Sequence, residues 1–568
     1  MLSKPITVYL SWAAHDLISD NVPLTEELAL RQFDHLLRLR SAGMLFDAYL
    51  LDAGWFSRDS GYREWMAPNW PVGGGDRWLE QCRQHGLLPG LWFASNNLTW
   101  LSFSDPIPAW EDSINRSRTA MCFFEGGFWP HLLETFGLWY DRGVRVFKID
   151  FTDFDAATPS AEKRFLPSEI RRMNLKSLVT GLQSFRETHP EAIFMGYNGL
   201  WETFQHPVTG RPTDIQTGTG WPIRQVFDTR LLDAFDTIYC GDPRPADVPA
   251  MNFWRSKDCY SDHMVRVFQA NGLPPERIDN AGFMVGGTGT CYFRGAAAWK
   301  GMAILAYARG GWLTGLYGDL GILNDDDGRW FAKVQRLFLP FQRAKQITAV
   351  GGLPGQREAY GWLAADDDGA VLTIVNPSQE VIRSPWPIAV RRLDQRILFA
   401  DQGFNPSFEA SGIALGPEQM AVIGVGKYAS AEYDLGLQAD VLIPRESHPV
   451  PCDFQNAGPG RIKGTLSPGE NDVLRIIVEQ VDRDGYPVRS SGGSPPHGTS
   501  LAELIGINVV QDGAPLSVDL RYGKVIWSGL SWACVELTTS TASPLEITCW
   551  TKEAQPVDLR ANIYRVTY

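Results

Sequence analysis

The sequence predicts an α/β chain, a (β/α)8 TIM barrel followed by antiparallel β domains. Three observations carry that expectation. The first ~345 residues alternate short apolar runs with helix-period segments, the pattern of parallel βα units. Eight such runs fit in that length, the number that closes a barrel. After Gln346 the helix-period segments stop, and short strands separated by Gly, Pro, Asn and Asp turns take over.

The eight runs are Ile6–Trp12, Ala48–Asp52, Leu88–Ala94, Val144–Phe151, Ala192–Tyr197, Thr237–Cys240, Gly282–Gly286 and Trp312–Tyr317. Amphipathic helices are expected between them over Glu26–Arg40, Phe128–Tyr140, Glu169–Glu187, Asp258–Ala270 and Trp330–Arg343. An open doubly wound sheet is the competing arrangement, but it normally shows fewer strands and a glycine fingerprint after the first. Here the first strand runs into Ala13-Ala14-His15-Asp16 instead. The expected division is a barrel over residues 1–346, an antiparallel β domain over 347–426 and a C-terminal β-sandwich over 427–568. Strand candidates in the second part are Gly361–Leu363, Val371–Val375, Ile397–Ala400 and Met420–Gly424. Those in the third are Val473–Val478, Val525–Leu530 and Pro544–Thr551, with Ser490–Pro496 as a long loop. The sandwich reads as an ancillary carbohydrate-binding module or as structural packing.

At 568 residues the chain is too long for one hydrophobic core, and 44% apolar with 21% charged residues excludes a disordered chain or a coiled coil. The formal charge of −13 is spread without blocks, which argues against a nucleic-acid partner or an anionic membrane. Twenty-one Trp, 17 Tyr and 29 Phe supply flat faces for stacking on sugars, Trp-rich cores being the plainer alternative. The eight cysteines form no CxxC and no Cys/His cluster, so they read as reduced thiols without a zinc site. Alternation of Ile6, Val8, Leu10 and Trp12 fits a strand better than a signal peptide, and no run reaches ~18 apolar residues. The expected location is cytoplasmic, and the composition leaves a homo-oligomer open.

A parallel barrel places its active site where the strands end. Strand two ends in Asp52-Ala53-Gly54-Trp55, strand three in Gly90-Leu91-Trp92-Phe93, and strand four in Lys148-Ile149-Asp150. Strand five ends in Tyr197-Asn198, with Trp201 just beyond, strand six in Gly241-Asp242-Pro243-Arg244, and strand eight in Tyr317-Gly318-Asp319. Lys148 and Asp150, two apart on a strand, point the same way into the mouth. A lysine there keeps the carboxylate ionised, which suits a nucleophile. Two carboxyls across a Trp-lined pocket are the minimum apparatus for glycoside hydrolysis. Any one of these aspartates could instead cap the following helix.

Taken together, these motifs resemble the catalytic barrel of the glycoside hydrolase clan holding families 27 and 36, chiefly α-galactosidases. The clan's Asp-Asp-Gly-Trp stands here as Asp52-Ala53-Gly54-Trp55, the Gly-Leu-Trp-Phe of family 36 is intact at residues 90–93, and its Lys-x-Asp is Lys148-Ile149-Asp150. Gly241-Asp242 occupies the place of the family 36 Ser-Asp motif. The resemblance implies that Asp150 is the nucleophile and Asp242 the general acid/base of a retaining, exo-acting α-glycosidase on an oligosaccharide or glycoside. Asp52, Trp55 and Lys148 would hold the −1 sugar, with Trp92, Asn198, Trp201, Arg244 and Asp319 as further substrate contacts. Ala53 and Ala94-Ser95-Asn96 depart from the family pattern, so a sugar other than galactose is open. A transglycosylase uses the same residues, and a non-catalytic carbohydrate-binding barrel or a divalent-metal hydrolase are the other classes weighed.

No cofactor or metal is implied. Gly286-Gly287-Thr288-Gly289 lacks the Lys-Ser/Thr of a P-loop, and Asp325–Gly328 and Asp366–Gly369 read as polar turns rather than calcium loops. His15 reads as a loop histidine, and Asp262 and Asp279 are reserve candidates for the acid.

Overall fold

The structure, a computed structural model, describes residues 1–12, 24–98, 108–200, 204–205, 212–213, 228–240, 247–279, 283–285, 299–387, 394–409, 412–482, 485, 487–488, 505–520, 531–551 and 557–568. Eight parallel strand positions close into a barrel. They are β1 (Ile6–Leu10), β2 (Ala48–Leu51), β3 (Leu88–Ala94), β4 (Val146–Asp150), β5 (Ile193–Gly196), β6 (Thr237–Tyr239), β7 and β8 (Leu313–Gly318). The β7 position is filled by two pieces, Ile278–Asp279 and Phe283–Val285, both paired to β8. Closure comes from β1 against β8, with Ile6 opposite Leu313 and Leu10 opposite Tyr317. The sequence reading located a strand at each of the eight barrel positions but missed the piece Ile278–Asp279, two residues and too short to show a period.

Register sorts the side chains. Trp92 lies opposite Lys148 and Ala94 opposite Asp150, so these face inward together. The alternate residues Phe93 and Phe147 turn outward, where their rings lie 4.8 Å and 5.2 Å from Phe136 of the helix Phe128–Asp141. The helices follow ordinary end chemistry. Helix Glu26–Ser41 is capped by Thr25, whose hydroxyl accepts from Leu28 N–H, with Glu26 and Glu27 in its first turn and Arg38 and Arg40 in its last. Three helices of the described residues escape a sequence reading, the single turn Ala161–Arg164 among them. Gly74–Gln84 opens on glycines that look like loop, and Trp299–Ala308 is buried on every side and so has no polar face to reveal a period.

Beyond the barrel lies a six-stranded sheet in the order Ile347–Gly351, Tyr360–Ala365, Gly369–Val375, Met420–Gly426, Gln395–Gln402 and Gly436–Leu442. Its last strand, added parallel to Gln395–Gln402, carries the sheet past residue 426. Two five-stranded sheets then face each other around Leu474, Ile476, Val509, Val535 and Ile547, a β-sandwich. Met251 and Trp254, from the barrel, belong to the same apolar cluster. The Asp325–Gly328 turn is the capped start of the helix Asp325–Ala344, and the Lys427 ammonium sits between Asp366 and Asp368, at 3.1 Å and 3.0 Å. Among the described residues no group of His, Cys, Asp or Glu converges to hold a metal, and no helix is long and apolar enough to cross a membrane. The described cysteines are free, and all but Cys452 are buried.

Candidate active site

The inward residues at the ends of β2, β3, β4 and β5 form one buried bowl. Asp150 ends β4 and is 4% exposed. Its Oδ2 accepts from Trp92 Nε1–H at 3.0 Å. Its Oδ1 accepts from Asn198 N–H at 3.1 Å, from Asn198 Nδ2 at 3.0 Å and from Phe151 N–H at 2.9 Å. Both oxygens are therefore oriented, one by an indole and one by three amide donors. The local backbone is bent to allow this. Phe151 takes φ +53, and Gly199, at φ +92, lies where a Cβ would come within 1.9 Å of the Thr152 carbonyl oxygen.

Lys148 does not bond Asp150. Its Nζ donates to Asp52 Oδ2 at 2.8 Å, with both side chains 5% exposed, and it lies 4.0 Å from the centre of the Tyr197 ring. Asp52 is held in turn, its N–H donating to Ser11 Oγ at 2.9 Å. Burial pushes the Asp150 carboxyl above the ordinary carboxylate value, against the pull of Lys148, Trp92 and Asn198. The net direction is upward, so the lysine moderates the burial penalty without abolishing it. Burial alone would lower Lys148, but Asp52, Asp150 and Asp279 outweigh it and raise its pKa.

Tyrosines complete the wall, and strand-end patterning did not single them out as a set. Tyr197 O–H donates to Asp279 Oδ2 at 2.5 Å and lies 2.6 Å from Tyr317 Oη, and its ring stacks on Tyr239 at 4.2 Å. Their positions at the ends of β5, β6 and β8 were the available signal.

Asp52, Trp92, Lys148, Asp150 and Asn198 thus come together as candidates. Trp55 does not. It is fully buried, packed 5.0 Å from Trp139 and 5.6 Å from Phe93, and its Nε1–H donates to the Trp92 carbonyl at 2.9 Å. It supports Trp92 from behind and has no face for a sugar, which corrects its assignment as a substrate contact. Asp319 serves as an N-cap. Its Oδ1 accepts from Gly321 N–H at 2.8 Å and Gln32 Nε2 at 2.7 Å, at the start of the short turn Leu320–Ile322. Asp262 is no rim acid either. It sits on the helix Phe253–Ala270, wholly buried, bonded by Arg309 at 2.7 Å and by Tyr360 O–H at 2.6 Å. Asp279 does face the bowl, through Tyr197. Asp242, Trp201, Arg244 and His15 lie outside the described residues.

No family model matches the chain, and no curated protein matches it. Solved structures similar to it include a family 36 α-galactosidase of Geobacillus stearothermophilus in complex with raffinose, 14% identical with a TM-score of 0.47 over 74% of this chain and 55% of that one. A putative α-galactosidase of Bacteroides fragilis is 12% identical, TM-score 0.45, over 75% of this chain and 80% of that one. A family 27 β-L-arabinopyranosidase of Geobacillus stearothermophilus, in complex with arabinose, is also 12% identical, TM-score 0.45, over 75% and 97%. Families 27 and 36 both stand among the similar structures. Likeness at this level makes no statement about activity.

Proposed function

We propose that this chain is a retaining, exo-acting α-glycosidase with Asp150 as nucleophile and Asp242 as general acid/base. The observation that supports it best is the Asp150 carboxylate, buried at the end of β4 with both oxygens oriented by Trp92 and Asn198. A carboxylate aimed this way meets an anomeric carbon without first reorganising. Attack forms a glycosyl ester and releases the leaving oxygen, which takes a proton from Asp242. Water, deprotonated by the same residue, then cleaves the ester with retained configuration.

The Lys148–Asp52 pair offers a donor and an acceptor to sugar hydroxyls on one side of the bowl. That pair and an ionised Asp150 leave one net negative charge, which favours the positive charge that develops on the sugar ring in the transition state. Trp92 acts through its indole N–H on Asp150, and its stacking on Phe56 at 6.0 Å and 13° holds the ring in place.

The test is azide rescue on aryl α-glycosides of whichever sugar the wild type turns over. Asp150→Gly is expected to lose roughly four orders of magnitude in turnover, and added azide should yield the β-glycosyl azide from the vacated face. Asp242→Ala should still form the ester from a dinitrophenyl glycoside, and azide should then give the α-glycosyl azide. Opposite anomers from the two variants support both roles. The retained anomer from Asp150→Gly, or equal loss on all leaving groups in Asp242→Ala, refutes them.

A further inference from the structure

Lys148 lies two residues from Asp150 on one strand, yet its ammonium is seated on Asp52. Residues from β5, β6, β7 and β8, neighbours in the barrel, build the other side of that seat. Lys148 is opposite Met195 on β5, and Tyr197, two residues further on, faces the same interior. The ammonium lies 4.0 Å from the centre of the Tyr197 ring. Tyr239, at the end of β6, stacks on that ring at 4.2 Å and 11°, which takes one face and leaves the ammonium on the other. Asp279, opposite Tyr239, accepts from the Tyr197 hydroxyl through Oδ2 at 2.5 Å. A phenol has a single proton to give, so Tyr317 of β8 is the donor in its 2.6 Å bond to Tyr197 Oη. The chain therefore runs from Tyr317 through Tyr197 to Asp279. All four residues are buried. A ring fixed on one face and at its hydroxyl cannot turn without breaking a bond to a carboxylate. An ammonium carries three N–H groups, and among the described residues Asp52 is the one hydrogen-bond partner of Lys148. The electron-rich ring attracts the cation from a second side, and those two contacts set where the remaining N–H points.

We propose that Tyr197 is a positioning residue for Lys148, with Asp279 holding Tyr197, and that this seat aims the lysine's remaining N–H at a sugar hydroxyl. Asp279 thereby has a place in the bowl that is not the acid's. The aim at a sugar rests on the glycosidase reading and the seat does not, so the experiment separates the two. Its first arm needs no substrate. Amide exchange of Val146–Asp150 is followed in Tyr197→Leu, Lys148→Met and the double variant. The double variant should speed exchange roughly 30-fold less than the product of the two single effects, the fold-change of a desolvated cation–π contact. Tyr197→Met, closer to tyrosine in volume, takes the place of Tyr197→Leu if that variant does not fold. Tyr197→Phe keeps the ring face, so its own cycle with Lys148→Met should be nearly additive. Tyr197→Phe and Asp279→Ala should be coupled by roughly tenfold, the effect of one bond to a charged group.

The second arm measures kcat/KM on a dinitrophenyl and a methoxyphenyl glycoside of the same sugar. Lys148 serves the sugar and not the leaving group, so Tyr197→Leu should lose roughly tenfold on both alike. With Lys148→Met already present the same change should cost less than about twofold, because the ammonium it positions is gone. Tyr197→Phe should recover most of the loss seen in Tyr197→Leu. An additive exchange cycle between Tyr197→Leu and Lys148→Met, the full loss persisting beside Lys148→Met, or Tyr197→Phe as impaired as Tyr197→Leu would each overturn the seat. An additive cycle between Tyr197→Phe and Asp279→Ala would overturn the part given to Asp279. A wild type that cleaves no glycoside refutes the glycosidase reading instead, and the exchange cycles still decide whether Tyr197 seats Lys148.

Discussion

Replacing Lys148 by Met removes the cation from the bowl while keeping much of the side chain's volume. The ion pair it breaks is short, 2.8 Å, and both partners are 5% exposed. Removing one member of a buried pair leaves an uncompensated charge and costs about 3–5 kcal/mol, far above the value of a surface pair. The contact with the Tyr197 ring at 4.0 Å is lost as well. In a chain of several domains a single melting point mixes transitions, so the measurement should be local. Amide exchange of Val146–Asp150 reports opening of β4, and a loss of that size speeds it by about 10²–10⁴-fold. The decisive comparison is the double variant Lys148→Met with Asp52→Asn. Asn keeps the Oδ1 that accepts from Ala53 N–H at 2.9 Å, and no unpaired charge from the pair remains. Its loss is expected to be only about 1–2 kcal/mol, smaller than that of Lys148→Met alone. If the double variant loses the sum of the two single losses to within ~0.5 kcal/mol, the pair is not coupled and the electrostatic account of the bowl is wrong.

Trp92→Phe removes the indole donor from Asp150 Oδ2, so the carboxyl, already above its ordinary value through burial, should rise further. Because the nucleophile must be ionised, the acid limb of kcat/KM against pH should move to higher pH, and an unmoved limb would show that another group sets it. The linked stability has a definite sign. With its folded pKa above the unfolded value near 3.8, Asp150 supports folding fully only below that value, and the support is lost as pH rises through the folded pKa. Asp150→Asn should therefore gain stability relative to wild type as pH rises through that window, measured by urea unfolding at several pH values, and a gain that ignores pH would contradict it. Gly199→Ala puts a methyl where the Thr152 carbonyl stands and forces φ +92 on an L-residue. A loss of about 1–3 kcal/mol is expected, with a larger fall in kcat than in stability-matched controls because Asn198 moves off Asp150, and wild-type kcat would refute the role given to Asn198.

What sequence alone determined here is what repeats along the chain. Apolar runs at strand spacing and helices at helical spacing set out the barrel, and a closed parallel barrel sends every strand's C-terminal end to one rim. Asp52, Trp92, Lys148, Asp150 and Asn198 were legible for that reason, being strand-end residues whose direction follows from a period of two. Period reports which way a side chain points and nothing about what it meets. Lys148 lies two residues from Asp150 yet bonds Asp52, 96 residues away, because β2 and β4 flank β3 in the closed barrel. Trp55 sits in a motif that reads as a sugar contact, but packing against Trp139 and Phe93 takes it into the core, and Asp319 is drawn off by Gln32, 287 residues distant. Ser531 donates to Asp247, 284 residues away, and neither carries any local signal. Such pairings are long-range contacts made when whole elements pack, so only the tertiary structure decided them.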